Sequence, residues 1–355
     1  MEFGLSEEQA LLQDSVNRFL DDQLPLERVR KIAGGKEDDS TIWRGLTELG
    51  IPGLLIAEAS GGVGLGSLDA AIVSECLGAH VAPTPFLGSA VMAPVALTAA
   101  GGHEDLLGAI TSGQHRVGVA FGEAIGARDD AGIRESGGTL NGKALFVIDS
   151  VANDFLVATG DKKLFLVNGD AKGLGKRSLT TVDRTQQVCE LVFNETPGKL
   201  VSEDPGVFLK TLDAGRVMLA ADTLGAAQHM LDKAVAYSKE REQFNRPIGS
   251  FQAVKHMCAE MTAALEPCRA MVWYAAHALD NIPEEARLTA CHTKAHTSEV
   301  GKFVAKTATE VHGGMGFTDL LGLHYWFKRI GFNRQMLGAP ELVREEAARI
   351  QDLVA

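Results

Sequence analysis

Apolar positions along the chain change period twice. From the start to about residue 115 the spacing is helical. Leu12, Val16, Phe19 and Leu20 follow Ser6 and Gln9, which stand at capping-box spacing and predict a first helix. Ile42 to Leu49 predicts a second, closed by Gly50, because glycine takes a left-handed turn at a helix end without strain. The run Gly61-Gly62-Val63-Gly64-Leu65-Gly66 interrupts the pattern. Ser67 to Leu77 resumes it, Pro83 and Pro85 mark a turn, and Ser89 to Ala99 predicts another helix.

Between about residues 116 and 203 the apolar runs shorten and become β-rich. They are Val117 to Val119, Leu145 to Ile148, Phe155 to Val157, Leu164 to Val167 and Val188 to Phe193, separated by Gly, Asn and Asp clusters. Several short strands so spaced predict a small barrel or sandwich. From about residue 204 helical spacing returns over Leu212 to Glu240, Ser250 to Asp280, Pro283 to Val311 and Glu341 to Val354. Four such segments with short connections predict a bundle. The expected fold class is α+β: an N-terminal helical domain (1–115), a central β domain (116–203) and a C-terminal four-helix bundle (204–355).

Composition narrows the function. The 355 residues are 45% hydrophobic and carry a formal net charge of −12, so a phosphate-neutralising surface for nucleic acid is not expected. Five widely spaced cysteines without a C-x-x-C pair read as reduced side chains. No 18-residue apolar run reads as a membrane span, and Met1 to Glu8 lack the basic-then-apolar order of a secretory leader. A cytoplasmic protein is expected.

Three motifs carry candidate chemistry. Leu49-Gly50-Ile51-Pro52-Gly53-Leu54 is followed by Glu58 and the glycine run. Arg241-Glu242-Gln243-Phe244-Asn245-Arg246-Pro247-Ile248-Gly249 runs into Phe251-Gln252. His312-Gly313-Gly314-Met315-Gly316-Phe317 forms a glycine-rich turn. An arginine such as Arg241 can donate paired hydrogen bonds to a pyrophosphate. Gln252 can reach ribose or phosphate oxygens, and Phe244 can lie against a flat ring. Gly313 and Gly314 let backbone N–H groups approach an anion with no Cβ in the way. Singly, each has a plainer reading as solvated charge, helix terminator or core residue.

In this order across the whole chain the motifs resemble the acyl-CoA dehydrogenase family. The resemblance implies FAD held across a subunit interface, desaturation of an acyl-CoA to the 2,3-enoyl-CoA, and electron transfer to an electron-transfer flavoprotein. It places Arg241, Gln243, Phe244, Gln252, His312, Gly313 and Gly314 against the FAD of a neighbouring subunit. Asn245 stands where the family has glycine and tolerates a left-handed backbone.

The chain departs from the family where the chemistry is done. The reaction needs a carboxylate base at the α-carbon proton. In most members it is a Glu preceding Gly-Thr or Gly-Ala; the matching run here is Met336-Leu337-Gly338-Ala339-Pro340, with Leu337 at the base position. Other members carry it just before an Arg on the first bundle helix, where this chain reads Asp213-Ala214-Gly215-Arg216, with Gly215 at that position. Asp213 lies two residues earlier, about 200° around a helix axis. The Thr-Glu-Pro segment corresponds to Val119 through Ala124, and the Trp-Ile-Thr strand to Phe146-Val147-Ile148, where Ile148 offers no hydroxyl. Glu310 replaces a Gln before the glycine turn.

The flavin side is therefore eroded while the part reaching a neighbour's FAD is kept. This pattern implies the base-less chain of a heteromer, as in the family's α₂β₂ enzymes acting on steroid side-chain CoA thioesters in bacteria. Three readings stay open beside it: a self-sufficient homomer with an unrecognised base, a non-catalytic binding protein on the same fold, and a relative using oxygen or acting on damaged DNA.

Overall fold

The computed structural model describes residues 4–126 and 132–354. Met1 to Phe3, part of the stretch read for a leader, lie outside the described residues. Six helices come first: α1 (Glu7–Gln23), α2 (Leu26–Ala33), α3 (Ser40–Glu48), α4 (Ser67–Ala79), α5 (Ala93–Ala100) and α6 (Glu104–Thr111). The capping box forms: Gln9 N–H donates to Ser6 Oγ (3.2 Å) and Ser6 N–H to Gln9 Oε1 (3.1 Å). Gly50 closes α3 with φ 78°. The helix expected from Ser89 instead opens with a π-helical stretch, Phe86–Met92, which abuts the sheet; Val117 N–H donates to Ser89 Oγ at 2.9 Å.

One eight-stranded sheet follows, from β1 (Val117–Ala120), β2 (Gly132–Ser136), β3 (Thr139–Ile148), β4 (Asp154–Ala158), β5 (Leu164–Asn168), β6 (Leu174–Leu179), β7 (Val188–Pro197) and β8 (Lys199–Ser202). Its order is β6-β7-β3-β1-β4-β5-β8, with β2 on β3. Only the β1–β4 pair is parallel among the described ladders. Phe155, Val157, Leu191 and Phe193 fill one face. Arg116, just before β1, is paired with Asp39 (2.9 Å) and Asp149 (2.9 Å) and so ties the sheet to α3.

The C-terminal part holds α7 (Pro205–Glu240), α8 (Gln252–Asn281), α9 (Pro283–Val311), α10 (Leu323–Gln335) and α11 (Pro340–Ile350). A two-stranded hairpin, β9 (Glu242–Gln243) and β10 (Arg246–Pro247), joins α7 to α8. Asp204 caps α7 by accepting from Gly206 N–H (2.8 Å), with Pro205 at the first helical position. Where α4 crosses α7 the backbones touch. A Cβ on Gly78 would lie 1.9 Å from Asp222 O, and one on Gly225 1.9 Å from Glu75 O. The fourth segment, expected over Glu341 to Val354, forms the shorter α11, and α10 before it is a helix the spacing did not predict.

Candidate functional site

A cavity of about 970 Å³ opens between the sheet and the α10–α11 connection. Val119, Phe121 and Glu123 from β1 and beyond, with Phe146 and Ile148 from β3, line the sheet side. Phe332, Met336, Leu337 and Leu342 line the other. Phe146 takes a left-handed φ of 53° and is half exposed, while Ile148 is buried.

Leu337 and Gly215, the two positions expected for a base, meet at one point. Leu337 is 4% exposed and left-handed, with φ 55°. A Cβ on Gly215 would lie 2.6 Å from Leu337 Cδ1 and 2.8 Å from Met92 Sδ. Residues 122 apart in sequence thus close on each other through aliphatic and thioether groups. No group in this contact can take a proton.

Two fully buried cations hold the Leu337 loop in place. Arg216 Nε donates to Leu337 O (2.9 Å), and the guanidinium pairs with Glu346 (2.7 Å). Lys294 Nζ donates to Asn333 O (2.8 Å) and Arg334 O (3.2 Å), the last carbonyls of α10, where a positive charge complements the helix dipole. Burial, with Arg216 and Arg334 adding to it, brings Lys294 down to about 7.

Asp213 does not line the cavity. It faces Arg287 (3.1 Å) and Arg216 (3.8 Å), and burial pushes its carboxyl up to about 6 against the pull of both arginines. The carboxylate that the sequence reading did not weigh is Glu123. It is 8% exposed, lines the cavity and accepts from Leu145 N–H at 3.1 Å. Glu123 lies in the turn that follows β1, beyond the reach of strand alternation.

The motif residues gather at the far end of the bundle. Arg241 ends α7 and is exposed, with no ion pair among the described residues. Phe244 and Asn245 form a two-residue hairpin turn, both left-handed at φ 54° and 60°, as turns of that hand require. Phe244 is therefore no core residue; it stands 88% exposed, edge-on to Phe251 at 6.0 Å. Gln243 is exposed on β9, and Gln252 opens α8 with its amide 2.8 Å from His256.

His312 is buried and stacks on Tyr237 (4.5 Å), tying the end of α9 to the end of α7. Burial lowers its pKa, so it serves as a neutral support beneath the turn. Gly313 has φ 57°, and both Gly313 and Gly314 are exposed. A Cβ on either would meet nothing in this chain, and Gly314 lacks a positive φ. Nothing internal requires glycine at 314. Glu310 points to solvent. An unpaired arginine, two amides, an exposed ring and an open glycine turn fit an anionic, flat-ringed dinucleotide.

Comparison with known proteins agrees with this geometry. Residues 6–106 match the acyl-CoA dehydrogenase N-terminal domain and residues 206–351 the acyl-CoA dehydrogenase C-terminal domain. Acyl-CoA dehydrogenase IpdE2 of Mycolicibacterium smegmatis is 31% identical over 349 residues, covering 98% of this chain and 99% of that protein. Among solved structures, a variant of the Tcur3481-Tcur3483 steroid ACAD superposes with TM-score 0.88 at 30% identity, over 98% of each chain. The ChsE4-ChsE5 complex from Mycobacterium tuberculosis gives 0.89 at 25%, over 100% of each. Among the described residues no helix is long and apolar enough to cross a membrane. With both terminal domains matched and whole-length relatives on each side, the chain belongs to the acyl-CoA dehydrogenase family, whose cofactor is FAD.

Proposed function

We propose that this chain is the subunit without the base in a heteromeric acyl-CoA dehydrogenase that α,β-desaturates an acyl-CoA thioester. The observation that carries the reading is the closure of Gly215 on Leu337, which fills both alternative base positions with one apolar contact. FAD, when bound, accepts the hydride that leaves the β-carbon. This chain's part is to hold that cofactor from the neighbouring side: Arg241 against the pyrophosphate, Gln243 and Gln252 on ribose or phosphate oxygens, Phe244 on a ring, and Gly313 and Gly314 with their N–H groups. His312 supports the glycine turn.

Distance supports a neighbour's FAD. Arg241 lies 26 residues beyond Gly215 on the same helix, about 39 Å along its axis. The base region and the clamp of one chain therefore serve different cofactors. The paired-chain relatives, one of them a steroid ACAD, favour a homologous partner and a steroid side-chain thioester as the substrate class. An electron-transfer flavoprotein would receive the electrons. The test is co-expression with homologous chains that carry glutamate at the position of Leu337 or Gly215. The assembled enzyme should hold FAD and oxidise acyl-CoA, with FAD between unlike chains. A complex that forms but has no activity contradicts the reading.

A second reading rests on Glu123, the buried carboxylate in the cavity. If it serves as the base, the chain works without a partner, and Glu123→Gln abolishes turnover by the lone chain.

A further inference from the structure

Behind the 970 Å³ cavity the structure shows a second space, and the two share Ile148 and Phe332 as walls. The inner space is only about 30 Å³, room for no more than a water or two. Its lining is largely apolar: Leu77 of α4, Phe86 and Leu87 of the π-helical stretch, and Met218 and Leu219 of α7. Ser74, Thr84 and Gln186 also line it, and one charged cluster crosses it. Arg329 of α10 is 1% exposed and reaches across it. Its Nε donates to Asp183 (2.7 Å), Nη1 to Asp222 (3.0 Å), and Nη2 to Thr185 Oγ1 (2.7 Å) and Ala82 O (3.1 Å). Asn333 donates to the other Asp222 oxygen at 2.6 Å.

We propose that Arg329 is a specificity-determining stopper that shuts the inner end of this chain's cavity. A ligand there is confined to the outer chamber and ends at Ile148 and Phe332. The class admitted is a flat ring system or a short acyl group, and a long apolar chain running inward past Ile148 and Phe332 is excluded. The closure is a fixed one. Swinging the guanidinium aside would strand Asp183 and Asp222 as unpaired buried carboxylates, so an apolar tail cannot displace it by its own burial. The same pairs pin residues 183–185, whose neighbours Thr180, Thr181 and Val182 line the outer cavity. Arg329 thus fixes both the depth of the cavity and one of its walls. This inference concerns ligand length in the chain's own cavity and stands whichever chain supplies the base.

The test uses the full chain without a partner, and straight-chain saturated fatty acids of increasing length titrated by calorimetry. The triple variant Asp183→Asn/Asp222→Asn/Arg329→Ala removes the stopper without leaving a buried charge. Each methylene that then enters the vacated space adds up to about fourfold in affinity, so the ratio of variant to wild-type affinity should climb with chain length until that space is filled. A folded triple variant whose ratio stays constant overturns the proposal. A second variant decides the matter even if the first does not fold. Leu77→Ala enlarges the space behind the stopper with Arg329 in place, and its length dependence should match that of the wild type. If Leu77→Ala changes the affinity of long acids selectively, chains already pass Arg329 and the proposal fails.

Discussion

The two ends of α7 are built on opposite terms. Around Gly215 the chain fills its own space: Leu337 and Met92 close on the glycine, and Arg216 and Lys294 hold the loop from within. Around Arg241 the chain leaves its groups open: a guanidinium without an ion pair among the described residues, a ring at 88% exposure and a Gly-Gly turn with nothing described within contact of an added Cβ. A region satisfied by its own side chains reads as structure, whereas one whose polar groups and glycines lack internal partners reads as half of a site. The difference supports the proposal that the clamp serves another chain's cofactor, with no acid–base group where Gly215 meets Leu337.

Substitutions can break that contrast. The largest effect is expected at Arg216. Arg216→Ala empties a fully buried site and leaves Leu337 O without its donor, while Glu346 keeps Arg287; the lost charge-assisted bond and the space left behind cost about 2–5 kcal/mol. Urea unfolding should show it, and an unfolding midpoint equal to the wild type's would mean that the loop does not depend on this cation. Arg241→Ala should leave fold stability alone. It should instead cost about 1.5–3 kcal/mol in FAD binding by the assembled enzyme, roughly ten- to a hundredfold in Kd. Unchanged FAD affinity in a flavin titration would remove Arg241 from the clamp.

Lys294 sharpens the comparison through pH. Its folded value, about 7, lies below the ordinary lysine value, so between about 7 and 10.5 the unfolded chain binds more protons. Stability should therefore rise with pH across that window, by up to about 1.4 kcal/mol per unit from this group. Lys294→Met should flatten the slope, as read from denaturant midpoints at several pH values. The smallest effect is expected at Gly215→Ala. The added Cβ presses on the flexible ends of Leu337 and Met92, while alanine favours the helix by about 0.5–1 kcal/mol, so the net change should stay within about 1 kcal/mol. A much larger loss would show the contact to be rigid.

The three zones were legible because α1, α3, α8 and α9 keep an apolar face, because α4 and α7 are apolar nearly all round, and because β1, β3, β4, β5 and β7 are apolar runs. What escaped had physical reasons. β6 and β8 are sheet edges with mostly exposed, polar residues, so they show no alternation. α2 and α6 are eight residues each, about two turns, too short to display a period. α10 buries Arg329 and Asn333 on its inward face, which hides the apolar stripe. The motif residues were readable one by one, but the meeting of Gly215 with Leu337 was not, because that contact spans 122 positions. Glu123 shows no period because it stands in the turn after β1, and only the folded turn brings it to the cavity.

The central claim is that this chain supplies no base of its own. The most direct measurement is single-turnover bleaching of flavin by acyl-CoA, with the lone chain reconstituted with FAD and compared with the same chain assembled with a glutamate-bearing partner. Losing a positioned general base typically costs about 10²–10⁴-fold, so the lone chain should bleach slower by at least that factor. Fast bleaching by the lone chain, retained in Asp213→Asn and lost in Glu123→Gln, would contradict the account and identify Glu123 as the base.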